Sequence, residues 1–151
     1  MSAPDGPVRL RPMTRGDVAD GVLLLVQLGY ELGAEEVERR VDAVIAAPDH
    51  SLVVAEIAGR IVGLLHVFAR PSVENPHEAV VQAIVVDRAH RRSGVGMALM
   101  AEAERWGRKH ECRSVMLSSN VVRAPAHAFY AALGYRIAAT SYILRKELLR
   151  K

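Results

Sequence analysis

The sequence predicts one α/β domain built on a single mixed sheet, and three observations carry that prediction. Residues Ala79 to Val86 are an apolar, β-branched run interrupted only by Gln82, which reads as a strand buried on both faces. Two further apolar runs flank Ala58-Gly59, the signature of a hairpin. Between and after these strands, apolar residues recur at helical spacing, so strands of both senses alternate with helices and pack as an α/β sandwich.

Val8 to Met13 alternates and reads as a short first strand, with Pro12 placing it at an edge or ending it. Thr14 caps the next helix, with Asp17 three residues on as a capping-box analogue; Val18, Val22, Leu25 and Val26 form its apolar face. Gly29 to Gly33 breaks this helix, and a second, from about Ala34 to Ala47, turns Val37, Val41, Val44 and Ile45 inward. The hairpin strands are Ser51 to Ile57 and Arg60 to Phe68, and a loop from Ala69 to His77 leads to the central strand. A third helix carries Met97, Leu99, Met100, Ala103 and Trp106. Ser114 to Ser118 is a fifth strand and Ala124 to Leu133 a fourth helix, ended by Gly134. Tyr135 to Ala139 and Ser141 to Leu148 are expected to close the sheet as an antiparallel pair.

At 151 residues the chain is expected to be a single domain, residues 1–151, able to bury a core without metal or disulfide support. Its one cysteine, Cys112, excludes an intrachain disulfide and reads as a semi-buried residue rather than a nucleophile. The six histidines stand apart along the chain, so no metal site is expected, and His66, His90 and His127 read as loop or surface residues. The first residues lack the apolar core of a leader, and no apolar stretch approaches the roughly 20 residues of a membrane span. A cytoplasmic protein with no membrane partner is the expectation. The net charge of +3 is modest and aromatics make up only 5% of the chain, which argues against a nucleic-acid partner.

The chemistry is concentrated after the central strand. Asp87 ends that strand; Arg91, Arg92, Ser93, Gly94, Val95 and Gly96 follow, and the third helix begins there. Glycine costs about 1 kcal/mol relative to alanine inside a helix, so two of them in a first turn need another reason. Bare backbone at a helix N-terminus lets an anion reach unpaired N–H groups at the positive end of the helix dipole. Two arginines add charge, and the turn suits a polyphosphate. No Gly-Lys-Ser/Thr follows, and Gly94-x-Gly96 lacks the third glycine of the dinucleotide fingerprint, so both of those motifs are excluded.

RRSGVG after a buried strand resembles the acetyl-CoA diphosphate loop, (Arg/Gln)-x-x-Gly-x-(Gly/Ala), of the GNAT superfamily of N-acetyltransferases. LSSN at Leu117 to Asn120 and AHAFYAALGY at Ala126 to Tyr135, in the same order and at similar spacing, extend the likeness over the whole chain, most strongly from Glu78 to Leu148. The resemblance implies the GNAT fold, a mixed, mostly antiparallel central sheet with helices on both faces, and acetyl-CoA as co-substrate with no metal. It implies that the backbone of Ile84, Val85 and Val86 pairs with the pantetheine arm, that Arg91, Arg92, Ser93, Gly94, Val95 and Gly96 hold the diphosphate, and that Asn120 bonds the cofactor arm. Tyr130 matches the family's tyrosine that protonates the departing thiolate. A phenol with a pKa of about 10 remains protonated at neutral pH yet can donate to a thiolate whose conjugate acid is near 8.5.

The acceptor must also lose a proton. An alkylammonium with a pKa near 10.4 is deprotonated at pH 7 at a cost of roughly 4 to 5 kcal/mol. Many relatives use a carboxylate near the central strand. Here Glu78 opens that strand and Gln82, four residues later on the same face by the two-residue period, cannot accept a proton, so Glu78 acting through water is the expected base. Tyr30 and Glu31, with Gln82, are the expected acceptor contacts. The expected reaction is direct attack by a small-molecule primary amine in a ternary complex, without an acyl-enzyme on Cys112. The alternatives are a protein N-terminus or lysine as acceptor, or a non-catalytic CoA-binding module. A homodimer through the final strands is implied by the resemblance alone.

Overall fold

The computed structural model describes residues 6–149, so the first five residues of the stretch read against a leader lie outside the described residues. The chain divides into two compact units at Ser118/Ser119. The first holds β1 (Arg9–Pro12), α1 (Val18–Gln27), α2 (Ala34–Ala46), β2 (His50–Ile57), β3 (Arg60–Arg70), β4 (Glu78–Val86), α3 (Val95–Lys109) and β5 (Ser114–Met116), with 3-10 turns at Arg15–Asp17 and Arg88–His90. The second holds α4 (Ala124–Ala132).

The five strands form one sheet in sequence order. β1 to β4 are antiparallel neighbours, and β5 runs parallel to β4. The β2–β3 turn places Ala58 at φ +52° and Gly59 at φ +79°, the two left-handed residues that match the twist of a tight hairpin. Alternation along β3 divides the core. Leu64 packs with Val54 and Val85 against Leu24 of α1 and Val37 and Val41 of α2. Gly63 points the other way, toward Val95 and Leu99 of α3. Helices therefore cover both faces of the first unit's sheet. Val95, Leu99, Met100 and Ala103 are fully buried on the α3 side, where each large apolar side chain contributes about 1.5–3 kcal/mol.

Thr14 caps the 3-10 turn Arg15–Asp17 that leads straight into α1, and it is held by its partner three positions on. The Asp17 carboxylate accepts the Thr14 N–H at 2.8 Å and two Arg11 guanidinium bonds at 2.8 Å each. Buried though it is, Asp17 stays ionised: the Arg11 bonds outweigh desolvation and hold its carboxyl at about 2.

Four expectations are corrected. Residues 135–148 contain no strand, although two were expected there. Their sequence is strand-capable, but a strand exists by its ladder, and no described strand pairs with them; Ile137, Tyr142, Ile143 and Leu144 are correspondingly exposed. The fifth strand is three residues long and ends at Met116, not Ser118. The histidines are not all apart: β2 and β3 bring His50 Nδ1 within 2.9 Å of His66 Nε2, with His50 stacked on Phe68. His90, expected in a loop or at the surface, lies in the Arg88–His90 turn but is only 6% exposed. No helix among the described residues is long and apolar enough to cross a membrane.

Candidate active site

β4 pairs with β5 only from Glu78↔Ser114 to Val80↔Met116. Beyond Val80 its other edge continues past Ile84, Val85 and Val86 with no strand beside it among the described residues, leaving ladder-forming N–H and C=O groups along that edge. On its β3 side the ladder shifts register. His66 pairs with Ala83 and Val67 with Val81, so Gln82 is an extra residue in a bulge. The strict two-residue alternation expected to put Glu78 and Gln82 on one face does not carry through that bulge. Gln82 is exposed, and bulges re-aim side chains beside functional sites.

The chain leaves β4 at Asp87 and passes through Arg88–His90 into the turn. Arg92 at φ +69° and Gly94 at φ +87° take left-handed backbone, and Gly94 is the N-cap of α3 without a side-chain cap bond. Space around Gly94 is open, with no heavy atom within 4 Å of where a Cβ would stand. Val95 is fully buried beneath the turn and fixes the start of α3 against β3. Arg88, Arg91, Arg92, Ser93 and Gly94 are exposed. Arg88, Arg91 and Arg92 form no ion pair among the described residues, so their positive charge adds to the positive end of a 15-residue helix. That arrangement is unfavourable without an anion and complementary to a diphosphate. The residues present thus fit acetyl-CoA: an open strand edge for an extended amide-bearing arm, then a bare, basic helix start for its diphosphate.

Glu78 accepts from Ser114 Oγ at 3.0 Å and from Arg70 at 3.4 Å, so its carboxylate is already engaged at the mouth of the strand pair. Tyr30 and Glu31 are both exposed in the α1–α2 connection, with Tyr30 N–H donating to Leu25 O at 3.1 Å. A shallow depression of about 290 Å³ lined by Arg15, Glu35, Glu38, Arg39 and Asp42 shares no residue with the glycine turn. Arg15 pairs there with Asp42 and Glu38, and Arg39 pairs with Glu36 of its own helix. Cys112 is half-buried, and burial pushes its thiol up, away from the thiolate a nucleophile needs.

In the second unit Asn120 makes an Asx turn: its Oδ1 accepts the Val122 N–H at 3.0 Å. Its carbonyl accepts from Arg123 N–H at 3.0 Å and contacts His127 Nε2 at 2.9 Å, which ties the turn to α4. Tyr130 is half-buried, edge-on to Phe129 and Tyr135. Burial raises its phenol above the usual value against the opposing effect of Arg123, so it remains protonated at neutral pH. The structure therefore places Ile84 to Gly96 on one strand, turn and helix start, with Glu78 and Gln82 earlier along the same strand, and carries Asn120 and Tyr130 together on the second unit.

Three residues absent from the expected site belong to this turn. Gln27, the last residue of α1, donates from Nε2 to Asp87 Oδ1 at 2.9 Å and accepts the Arg88 N–H at 2.8 Å. The other Asp87 oxygen lies 2.9 Å from His90 Nδ1. Asp87 is visible in the sequence as the end of the strand; Gln27, sixty positions away among helical residues, carries no local signal.

Comparison with known proteins bears on the family and the fold. Residues 23–135 match the model of the acetyltransferase (GNAT) family. A protein of Bacillus subtilis (strain 168) named as the uncharacterized N-acetyltransferase YhdJ is 28% identical over 131 residues, 86% of this chain and 91% of its own. Among solved structures, a transcriptional regulator from Bacillus halodurans C-125 superposes with a TM-score of 0.85 at 21% identity, covering 93% of this chain and 100% of that one. The aminoglycoside N-acetyltransferase AAC(6')-Iy in complex with CoA superposes with a TM-score of 0.85 at 18% identity, covering 98% and 100%. The strand, turn and helix around Gly94 and the match over residues 23–135 place this chain in the acetyltransferase (GNAT) family, as an acetyl-CoA-dependent N-acetyltransferase.

Proposed function

We propose that the acceptor is a primary amine of a small molecule, attacked directly on the thioester in a ternary complex. The observation that carries this reading is the unpaired edge of β4 running into the basic, bare start of α3. An extended acyl-pantetheine lies along that edge, with backbone groups of Ile84, Val85 and Val86 as its partners and Arg91 to Gly96 around the diphosphate. N–H groups of the bulged stretch of β4 polarise the thioester carbonyl. Asn120 supports the cofactor arm through the part of its side chain that the Asx turn does not use.

In the reaction the amine nitrogen forms a bond to the acetyl carbon while the carbon–sulfur bond breaks. The electron pair goes to sulfur, and the Tyr130 hydroxyl supplies its proton. The proton lost by the amine passes through water to Glu78; because Arg70 and Ser114 already hold that carboxylate, a water relay suits it better than direct contact. Tyr30, Glu31 and Gln82, all exposed, are the acceptor contacts, the carboxylate favouring a cationic amine. AAC(6')-Iy, a structural neighbour, was solved with a bisubstrate analogue, CoA-S-monomethyl-acetylneamine, which supports a small-molecule amine acceptor here.

The test is CoA release by the purified protein with acetyl-CoA and separate panels of small amines, amino acids, aminoglycosides and N-terminal peptides. Turnover confined to small amines is the expected result; turnover confined to peptides would replace this reading with a protein acetyltransferase. We propose in addition that the protein is a homodimer, because Ile137, Tyr142, Ile143 and Leu144 are 79–93% exposed in a strand-capable segment, a strip that a second copy would cover. Sedimentation of the wild type and of Leu144→Asp tests it, the variant being expected to shift toward monomer.

A further inference from the structure

The turn that receives the diphosphate is held from outside its own stretch of chain. Gln27 contributes both ends of its amide, donating to the Asp87 carboxylate at 2.9 Å and accepting the Arg88 N–H at 2.8 Å, so it clamps side chain and backbone of two consecutive residues at once. Asp87 passes the constraint on. Its second oxygen meets His90 Nδ1 at 2.9 Å and its carbonyl accepts the His90 N–H at 2.8 Å, while its own N–H is fixed to Val62 O at 2.8 Å on β3. The His90 carbonyl in turn accepts the N–H of Ser93 at 3.3 Å and the Ser93 hydroxyl. Ser93 directly precedes Gly94, and the left-handed backbone of Arg92 and Gly94 on either side has to be held against alternatives.

The cost of this arrangement points to its use. His90 is only 6% exposed, and its Nε2 is buried without a hydrogen-bond partner among the described residues, a penalty that a packing role would avoid with an apolar side chain. Asp87 is itself drawn below the usual carboxylate range, chiefly by Gln27 and then by His90 against desolvation, so the cluster keeps a charged acceptor between its two donors. A network of this kind, assembled from α1 and the β4–α3 connection, fixes a backbone shape more strictly than apolar packing does.

We propose that Gln27, Asp87 and His90 are positioning residues that pre-set the Arg91–Gly96 turn for the diphosphate of acetyl-CoA, with Gln27 as the clamp that ties this turn to the end of α1. The inference rests on the reading of that turn as the diphosphate site. None of the three is a catalytic residue. Their contribution is to hold the N–H groups of the turn in the anion-binding arrangement before the ligand arrives, which raises affinity by removing an ordering cost.

The experiment is titration calorimetry of the full chain with CoA, for wild type, Gln27→Met, Asp87→Asn and the double variant, alongside their melting temperatures and steady-state rates. Wild-type binding with a roughly tenfold loss in each single variant is expected. The double variant should lose little more than either single one, because both break the same network. KM for acetyl-CoA should rise far more than kcat falls. CoA affinity unchanged in both folded single variants would overturn the proposal while leaving the diphosphate site intact, and losses that simply multiply in the double variant would overturn the network. Failure of the wild type to bind CoA would overturn the reading of the turn itself, and the proposal with it. Asp87→Asn keeps the size of its side chain, so it still decides the matter if Gln27→Met does not fold.

Discussion

Tyr130 and His66 have their chemistry set by burial, in opposite senses. Desolvation raises the Tyr130 phenol, which keeps it a proton donor across the neutral range. Tyr130→Phe is expected to lower kcat by roughly 10²-fold or more while acetyl-CoA binding changes little, measured by steady-state kinetics and calorimetry; an unchanged kcat would remove it as the acid. Desolvation, with His50 alongside, lowers His66 to about 4 from the ordinary 6.5. The unfolded chain therefore binds the extra proton first as pH falls. The stabilisation from keeping His66 neutral is complete above about pH 6.5 and is lost progressively as pH falls toward and through about 4. Denaturant titrations between pH 4 and 7 should show stability rising with pH, with a shallower rise in His66→Leu. The contact behind this shift was not legible along the chain, because sixteen positions separate His50 from His66 and only the β2–β3 register brings them together. Gly94 was legible, since a glycine before a helical repeat signals its conformational role locally; Gln27 was not, since its partners lie some sixty residues on.

Among the elements, α3 is seated most tightly. A methyl group on Gly63 would stand 2.9 Å from Val95 and 3.0 Å from Leu99, both fully buried, and 3.3 Å from the Val85 carbonyl. Gly63→Ala is accordingly expected to destabilise the fold by about 1–3 kcal/mol and to weaken CoA binding by lifting the start of α3. Chemical denaturation and calorimetry measure the two effects, and an unchanged midpoint would show that α3 can shift at no cost. Helix and strand identities through β4 follow from periodicity, which needs only neighbours in sequence. The elements missed or shortened lie after Ser114, where strand character depends on a partner: β5 persists for three residues beside β4, and residues 135–148 take no ladder at all. The bulge at Gln82 was equally hidden, because an extra residue shows itself only against the opposing strand.

Across the whole molecule, the proposed seating of CoA along the open edge of β4 would link the substrate to the stability of the fold. Because CoA binds the folded chain, it is expected to stabilise by about 2.7 kcal/mol at a hundred times its Kd, raising the melting temperature by about 5–10 °C. Differential scanning calorimetry with and without CoA measures this, and the gain should fall sharply in Arg91→Ala/Arg92→Ala. The same edge has a consequence for the behaviour of the protein in concentrated solution. From Val81 to Val86 it is a largely apolar strand, interrupted by Gln82, with one side of its backbone unclaimed by another strand among the described residues, the kind of template on which a foreign strand can grow. With the pantetheine arm seated as proposed, it would act as a removable edge guard, and the supply of CoA would set how long that template stays open to aggregation.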